Sequence, residues 1–154
     1  MRDRHWPDRY AKGRTLLKGS DELDPKYLFG IDLALVPLLH DGESRIDNKE
    51  TRERAFLMGG ATLGQCAGAW LLDHQDKIPR QPKGCQPMDT SHLLLYIPLP
   101  GTVLLDPSYG PHGFEVVRFL TWEGGVWYPD STGVAHWWNH HAYLLRPRKE
   151  HAGP

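Results

Sequence analysis

The run His92-Leu93-Leu94-Leu95-Tyr96-Ile97-Pro98-Leu99-Pro100-Gly101-Thr102-Val103-Leu104-Leu105-Asp106 divides into two apolar segments around a Pro and Gly centre. Apolar segments of five or six residues bounded by turn formers read as strands, and Pro98 to Gly101 has the composition of a turn. The expectation is a hairpin of strands 92–97 and 102–106. Its near-continuous apolar character predicts a pair covered on both faces.

Working outward toward the C-terminus, alternation resumes in Phe114-Glu115-Val116-Val117-Arg118-Phe119 and again in Val126-Trp127-Tyr128 beyond Gly124-Gly125. Two glycines between alternating segments predict a second hairpin. A last strand is expected between His136 and Leu145, ahead of a charged tail at 146–154.

Toward the N-terminus the periods lengthen. Ala67 to Lys77 predicts a helix, ended by Pro79, because it holds good helix formers and no β-branched run. Asp47 is placed to start another helix through Glu50, Arg54, Phe56 and Leu57, and Met58-Gly59-Gly60 stops it. The apolar run Ile31 to Leu39, which contains Pro37, has a length that suits a buried helix or a strand, and the helix is preferred. Asp24 and Pro25 suit the start of a short helix near Phe29. Residues 1–27 are otherwise read as a surface arm, and Ile78 to Thr90, with its prolines, as an irregular excursion able to act as a lid. The sum is one α+β domain over 1–154: N-terminal helices packed on a C-terminal antiparallel β-sheet.

The bulk numbers narrow the partners. Eighteen Lys and Arg stand against 19 Asp and Glu, a net charge of −1, so no basic field exists to attract nucleic acid or an anionic membrane. The chain has no apolar run of about 18 residues, and its first residues lack the apolar segment of a secretory signal. A cytoplasmic protein with its two cysteines as thiols is expected.

Three residues carry chemistry in chain order. Cys66, in Gly64-Gln65-Cys66-Ala67, opens a helix, where the dipole and the first N–H groups favour a thiolate. His92 opens a strand and Asp106 closes the next. If Leu94 pairs with Asp106, His92 and Asp106 become diagonal neighbours on one sheet face, about 7 Å apart at the backbone. A thiol, an imidazole to move its proton and a carboxylate to orient the imidazole make a nucleophilic triad.

These motifs, with Pro98-Leu99-Pro100-Gly101 leading into Leu105-Asp106-Pro107-Ser108, resemble those of transglutaminase-like domains in the papain-like cysteine protease superfamily. The resemblance covers residues 60–110. It implies a papain-like core with Cys66 as nucleophile, His92 as general base and acid, and Asp106 as orienter. The implied activity is acyl transfer from a peptide or side-chain amide through a thioester, as a peptidase, amidase, deamidase or transglutaminase. Gln65 and Trp70 become candidate oxyanion and substrate contacts, and such a mechanism needs no cofactor. Arylamine N-acetyltransferases are a related comparison through His92-Leu93-Leu94-Leu95 and Asp106-Pro107-Ser108-Tyr109-Gly110.

Other readings stand beside this one. Cys85, in the Pro-rich stretch, reads as an exposed bystander thiol, with no helix start to lower its pKa. His136 and His140 have a metal-ligand spacing but no accompanying Glu or Cys, so His136-Trp137-Trp138-Asn139-His140-His141 is read as packing or an aromatic substrate wall on a strand. Trp122, Trp127 and Tyr128 read as core and sheet-face aromatics. A binding module on the same fold, without catalysis, is the alternative to an enzyme.

Overall fold

The computed structural model describes residues 15–16, 25–28, 30–59, 63–79, 95–106 and 113–147. The fold is α+β, and the described residues form two antiparallel sheets and two α-helices. Four strands form the larger sheet in the order β1 (Thr15–Leu16), β3 (Leu95–Asp106), β4 (Phe114–Glu123) and β5 (Val126–Gly133). Strands β2 (Leu33–Pro37) and β6 (Tyr143–Pro147) form a second sheet. The helices are α1 (Asn48–Gly59) and α2 (Gln65–Asp73), and single 3-10 turns occupy Pro25–Leu28 and Gln75–Lys77.

Period two in the strands divides the core. Leu95, Ile97 and Leu99 of β3, Leu120 of β4 and Trp127 of β5 pack with Ala67, Leu71 and Leu72 of α2. Phe119 of β4 faces the other way, into a cluster with Leu38, Ile46, Ala55, Trp138, Ala142 and Leu144, and half-buried Tyr96 joins it. On β6, Leu144 belongs to one cluster and its neighbour Leu145 to the other. Each fully buried Leu or Ile side chain contributes about 1.5–3 kcal/mol of transfer free energy, so the larger sheet is held from both sides.

Helix α1 begins as its sequence requires. The Asp47 side chain accepts the Glu50 amide at 2.8 Å, and the Thr51 hydroxyl donates to the Asp47 carbonyl at 2.7 Å. Along the helix, Arg54 donates both terminal nitrogens to Glu43, at 2.7 and 2.6 Å, and its Nε to Glu50 at 3.0 Å. The hydrogen-bonded guanidinium holds the Glu43 carboxyl down at about 2. The β4–β5 hairpin turns at Gly124 and Gly125, whose φ values of 60° and 87° are the left-handed conformations a two-residue turn needs.

Three expectations are corrected. Residues 31–39 are not a helix: Leu33 to Pro37 form β2, because its partners, Tyr143 to Pro147, lie at the other end of the chain and override local preference. Pro98 to Gly101 is not a turn between two strands: β3 runs unbroken from Leu95 to Asp106 and pairs with β4 through Leu99 and again from Val103. Leu99 pairs with Arg118 and Val103 with Val117, so Pro100, Gly101 and Thr102 form a bulge without partners on β4. A proline has no N–H to lose from a ladder, so Pro100 is tolerated in a bulge as well as in a turn. Finally, His136 to Leu145 is not one strand: Trp138 makes an isolated bridge to Ile46, and β6 starts only at Tyr143 and includes Arg146 and Pro147 of the expected tail.

Of the expected surface arm, Thr15 and Leu16 form an edge strand against Leu105 and Leu104. The expected lid, from residue 80 onward, lies outside the described residues, as does the tail beyond Pro147.

Candidate functional site

The bulge in β3 positions the cysteine. Gly101 donates its amide to the Leu63 carbonyl at 2.7 Å, and the Thr102 hydroxyl accepts the Gln65 amide at 2.9 Å. Those two bonds fix the residues on either side of Gly64, the N-cap, and α2 starts there. The first intrahelical bond runs from the Gly68 amide to the Gly64 carbonyl, so the N–H groups of Cys66 and Ala67 precede it. Cys66 is the second residue of the helix, exposed and in no disulfide, while Ala67 and Gly68 beside it are buried.

A buried polar group lies under this helix start. Arg118 of β4 is 1% exposed; its Nε donates to the Gln65 side-chain oxygen at 3.3 Å and a terminal nitrogen donates to the Ser131 hydroxyl at 2.6 Å. Gln65 thus has its backbone on Thr102 and its side chain on Arg118, which orients the residue preceding the cysteine from two directions. Arg118, Thr102 and Ser131 belong to no motif in the sequence. The readable signal was Arg118 itself, a charge at the same strand parity as Val116 and Leu120.

Asp106 is buried at the end of β3, opposite Phe114. Val116 lies across from Leu104, and directly paired residues share a sheet face. Asp106 therefore shares the face of Leu104, Val116 and Arg118, against which the start of α2 is held. It stands four residues beyond Thr102, about 13 Å along the strand.

The hairpin register expected to join the other two site residues is not the one formed. Pairing of Leu94 with Asp106 is replaced by pairing of Phe114 with Asp106, so the hairpin that would make His92 and Asp106 diagonal neighbours does not exist. His92 lies outside the described residues, three positions before Leu95. Leu95 is paired with Trp122 and packs with the same cluster as Leu71 and Leu72, in the later part of α2. Cys85 is also outside the described residues.

Trp70, one turn beyond Cys66, is half-buried against the core and stacks on His74 with ring centroids 4.3 Å apart. His136 meets the buried Trp138 ring edge to face at 4.8 Å, and His140 and His141 have their rings 4.2 Å apart. Among the described residues, no three His, Cys, Asp or Glu side chains are grouped as a metal site, and no helix is long and apolar enough to cross a membrane. Of the expected aromatics, Trp127 is core and Tyr128 is exposed on the sheet surface.

Compared with protein families, curated proteins and solved structures, the chain matches none. The functional reading rests on this local geometry and on the motifs.

Proposed function

We propose that the chain is a cysteine-dependent acyl-transfer enzyme with a transglutaminase-like core, acting on a peptide or side-chain amide through a thioester on Cys66. The observation that carries the reading is an exposed cysteine in the first turn of a helix whose start is anchored to a strand bulge. A thiolate there is stabilised by the helix dipole. It attacks the amide carbonyl carbon, and the oxyanion forms beside the Cys66 and Ala67 N–H groups. His92 takes the thiol proton and gives it to the leaving amine; water or a second amine then releases the acyl group. Arg118 positions Gln65 and with it the approach to the sulfur.

A second reading, a binding module without catalysis, is favoured by one observation. The unbroken β3 sets Leu95, near His92 in sequence, and Asp106 at opposite ends of a 12-residue strand.

The two readings separate on thiol chemistry. An activated Cys66 reacts with iodoacetamide well below pH 8, and its rate falls on His92→Asn; a structural thiol follows an ordinary cysteine profile, unchanged by that substitution. An electrophilic amide probe is expected to label the wild-type chain at Cys66 and to leave Cys66→Ala unlabelled, with turnover down on the order of a thousandfold or more. Equal labelling of Cys66→Ala rejects the enzyme assignment.

A further inference from the structure

On the side of the larger sheet away from α2, Tyr96, Phe119 and Trp138 bring three rings together at steep mutual angles. Tyr96 and Phe119 lie 5.7 Å apart at 76°, Phe119 and Trp138 5.2 Å apart at 74°, and Tyr96 and Trp138 6.1 Å apart at 51°. Three planes so inclined form the corner of a box. With Thr132, His136, Trp137 and Asn139 they line a pocket of about 170 Å³. Trp138 is buried and forms the floor, while His136 and Trp137 are exposed at the mouth.

The size and the charge of this pocket select a ligand. An apolar cavity of about 150 Å³ admits benzene, which has six heavy atoms. A tetramethylammonium group has five. Aromatic faces carry negative charge density, and several faces around one space attract a cation that has shed its water. Acidic side chains add to the field: Asp130 lies directly across from Phe119 on β5. The Tyr96 hydroxyl titrates above its ordinary value, first because it is buried and then because Asp130 and Glu123 oppose its ionisation. The Arg45 guanidinium lies 4.6 Å from the centroid of Trp137, so one face of that ring is taken by a fixed positive charge and the other is left to the pocket. Methyl groups on nitrogen spread the charge over surface that packs on the rings.

We propose that this pocket binds a small quaternary ammonium ion of choline size. The site faces away from Cys66 and is independent of the acyl-transfer reading.

The test is calorimetric titration of the full chain with choline chloride and, at equal ionic strength, with 3,3-dimethylbutan-1-ol, its uncharged carbon counterpart. Choline is expected to bind at least tenfold more tightly than the alcohol. Trp137→Ala is expected to weaken choline about fivefold. Asp130→Asn should weaken choline and leave the alcohol unchanged. Both side chains are exposed, so neither variant removes core packing. Equal affinities for the two compounds, or no saturation by choline below about 10 mM, overturn the proposal.

Discussion

Asn48 uses both ends of its side-chain amide. Its nitrogen donates to the carbonyls of Val134 and His136, at 2.9 and 3.2 Å, and its oxygen accepts the Trp138 indole N–H at 2.7 Å. One residue in the first turn of α1 thereby fixes the segment that follows β5, and Trp138 is 2% exposed at that point. Truncation leaves a buried indole N–H and two carbonyls without this partner, a loss far larger than that of a surface hydrogen bond. Asn48→Ala is expected to lower the unfolding free energy by about 2–3 kcal/mol, measured by urea denaturation at constant m-value. A change below about 0.5 kcal/mol, the range of ordinary surface substitutions, contradicts that role. The Asp47 cap next to it was legible in the sequence, because a capping side chain acts on an amide three residues away. The role of Asn48 was not, since its partners lie more than 80 residues on.

At the scale of elements, the bulge in β3 has the most consequence. Pro98-Leu99-Pro100-Gly101 carries the composition of a turn, and composition alone does not separate a turn that reverses the chain from a bulge that lets it continue. What decides is whether β4 can pair on both sides of the interruption. It does, from Phe114 opposite Asp106 to Trp122 opposite Leu95. The β4–β5 hairpin was legible for the opposite reason: its signal, two adjacent glycines between alternating strands, is entirely local. The same distinction separates the site residues. Cys66 at a helix start was readable from its immediate neighbours, whereas the Arg118, Thr102 and Ser131 surroundings come from three different strand segments. The bulge also makes a testable element of Thr102, which is fully buried and accepts the amide at the head of α2. Thr102→Val keeps the side-chain shape and removes the acceptor, with an expected loss of about 1–2 kcal/mol. If the enzyme reading holds, amide-probe labelling of Cys66 slows by more than this small loss of stability accounts for. Labelling that tracks the folded fraction alone would assign Thr102 a structural role only.

For the molecule as a whole, α+β was readable and the closure of the chain was not. Local signals give helices before a sheet, and the structure has them, but they say nothing of β2 pairing with β6. Leu35 is paired with Leu145, roughly 110 positions away, and their neighbours serve both core clusters. That pairing sets an order of assembly. The β3–β4–β5 meander needs only short connections, so its hairpins close at small entropic cost, while joining β2 to β6 closes a loop that spans most of the chain. The small sheet is accordingly expected to form last, as a clasp over a nucleus made by the meander. Leu120→Ala, in the meander, is expected to slow refolding, whereas Leu35→Ala is expected mainly to speed unfolding, as read from the two arms of a chevron plot. If Leu35→Ala slows refolding as much as Leu120→Ala does, the clasp belongs to the nucleus, and the two ends of the chain meet before the middle is built.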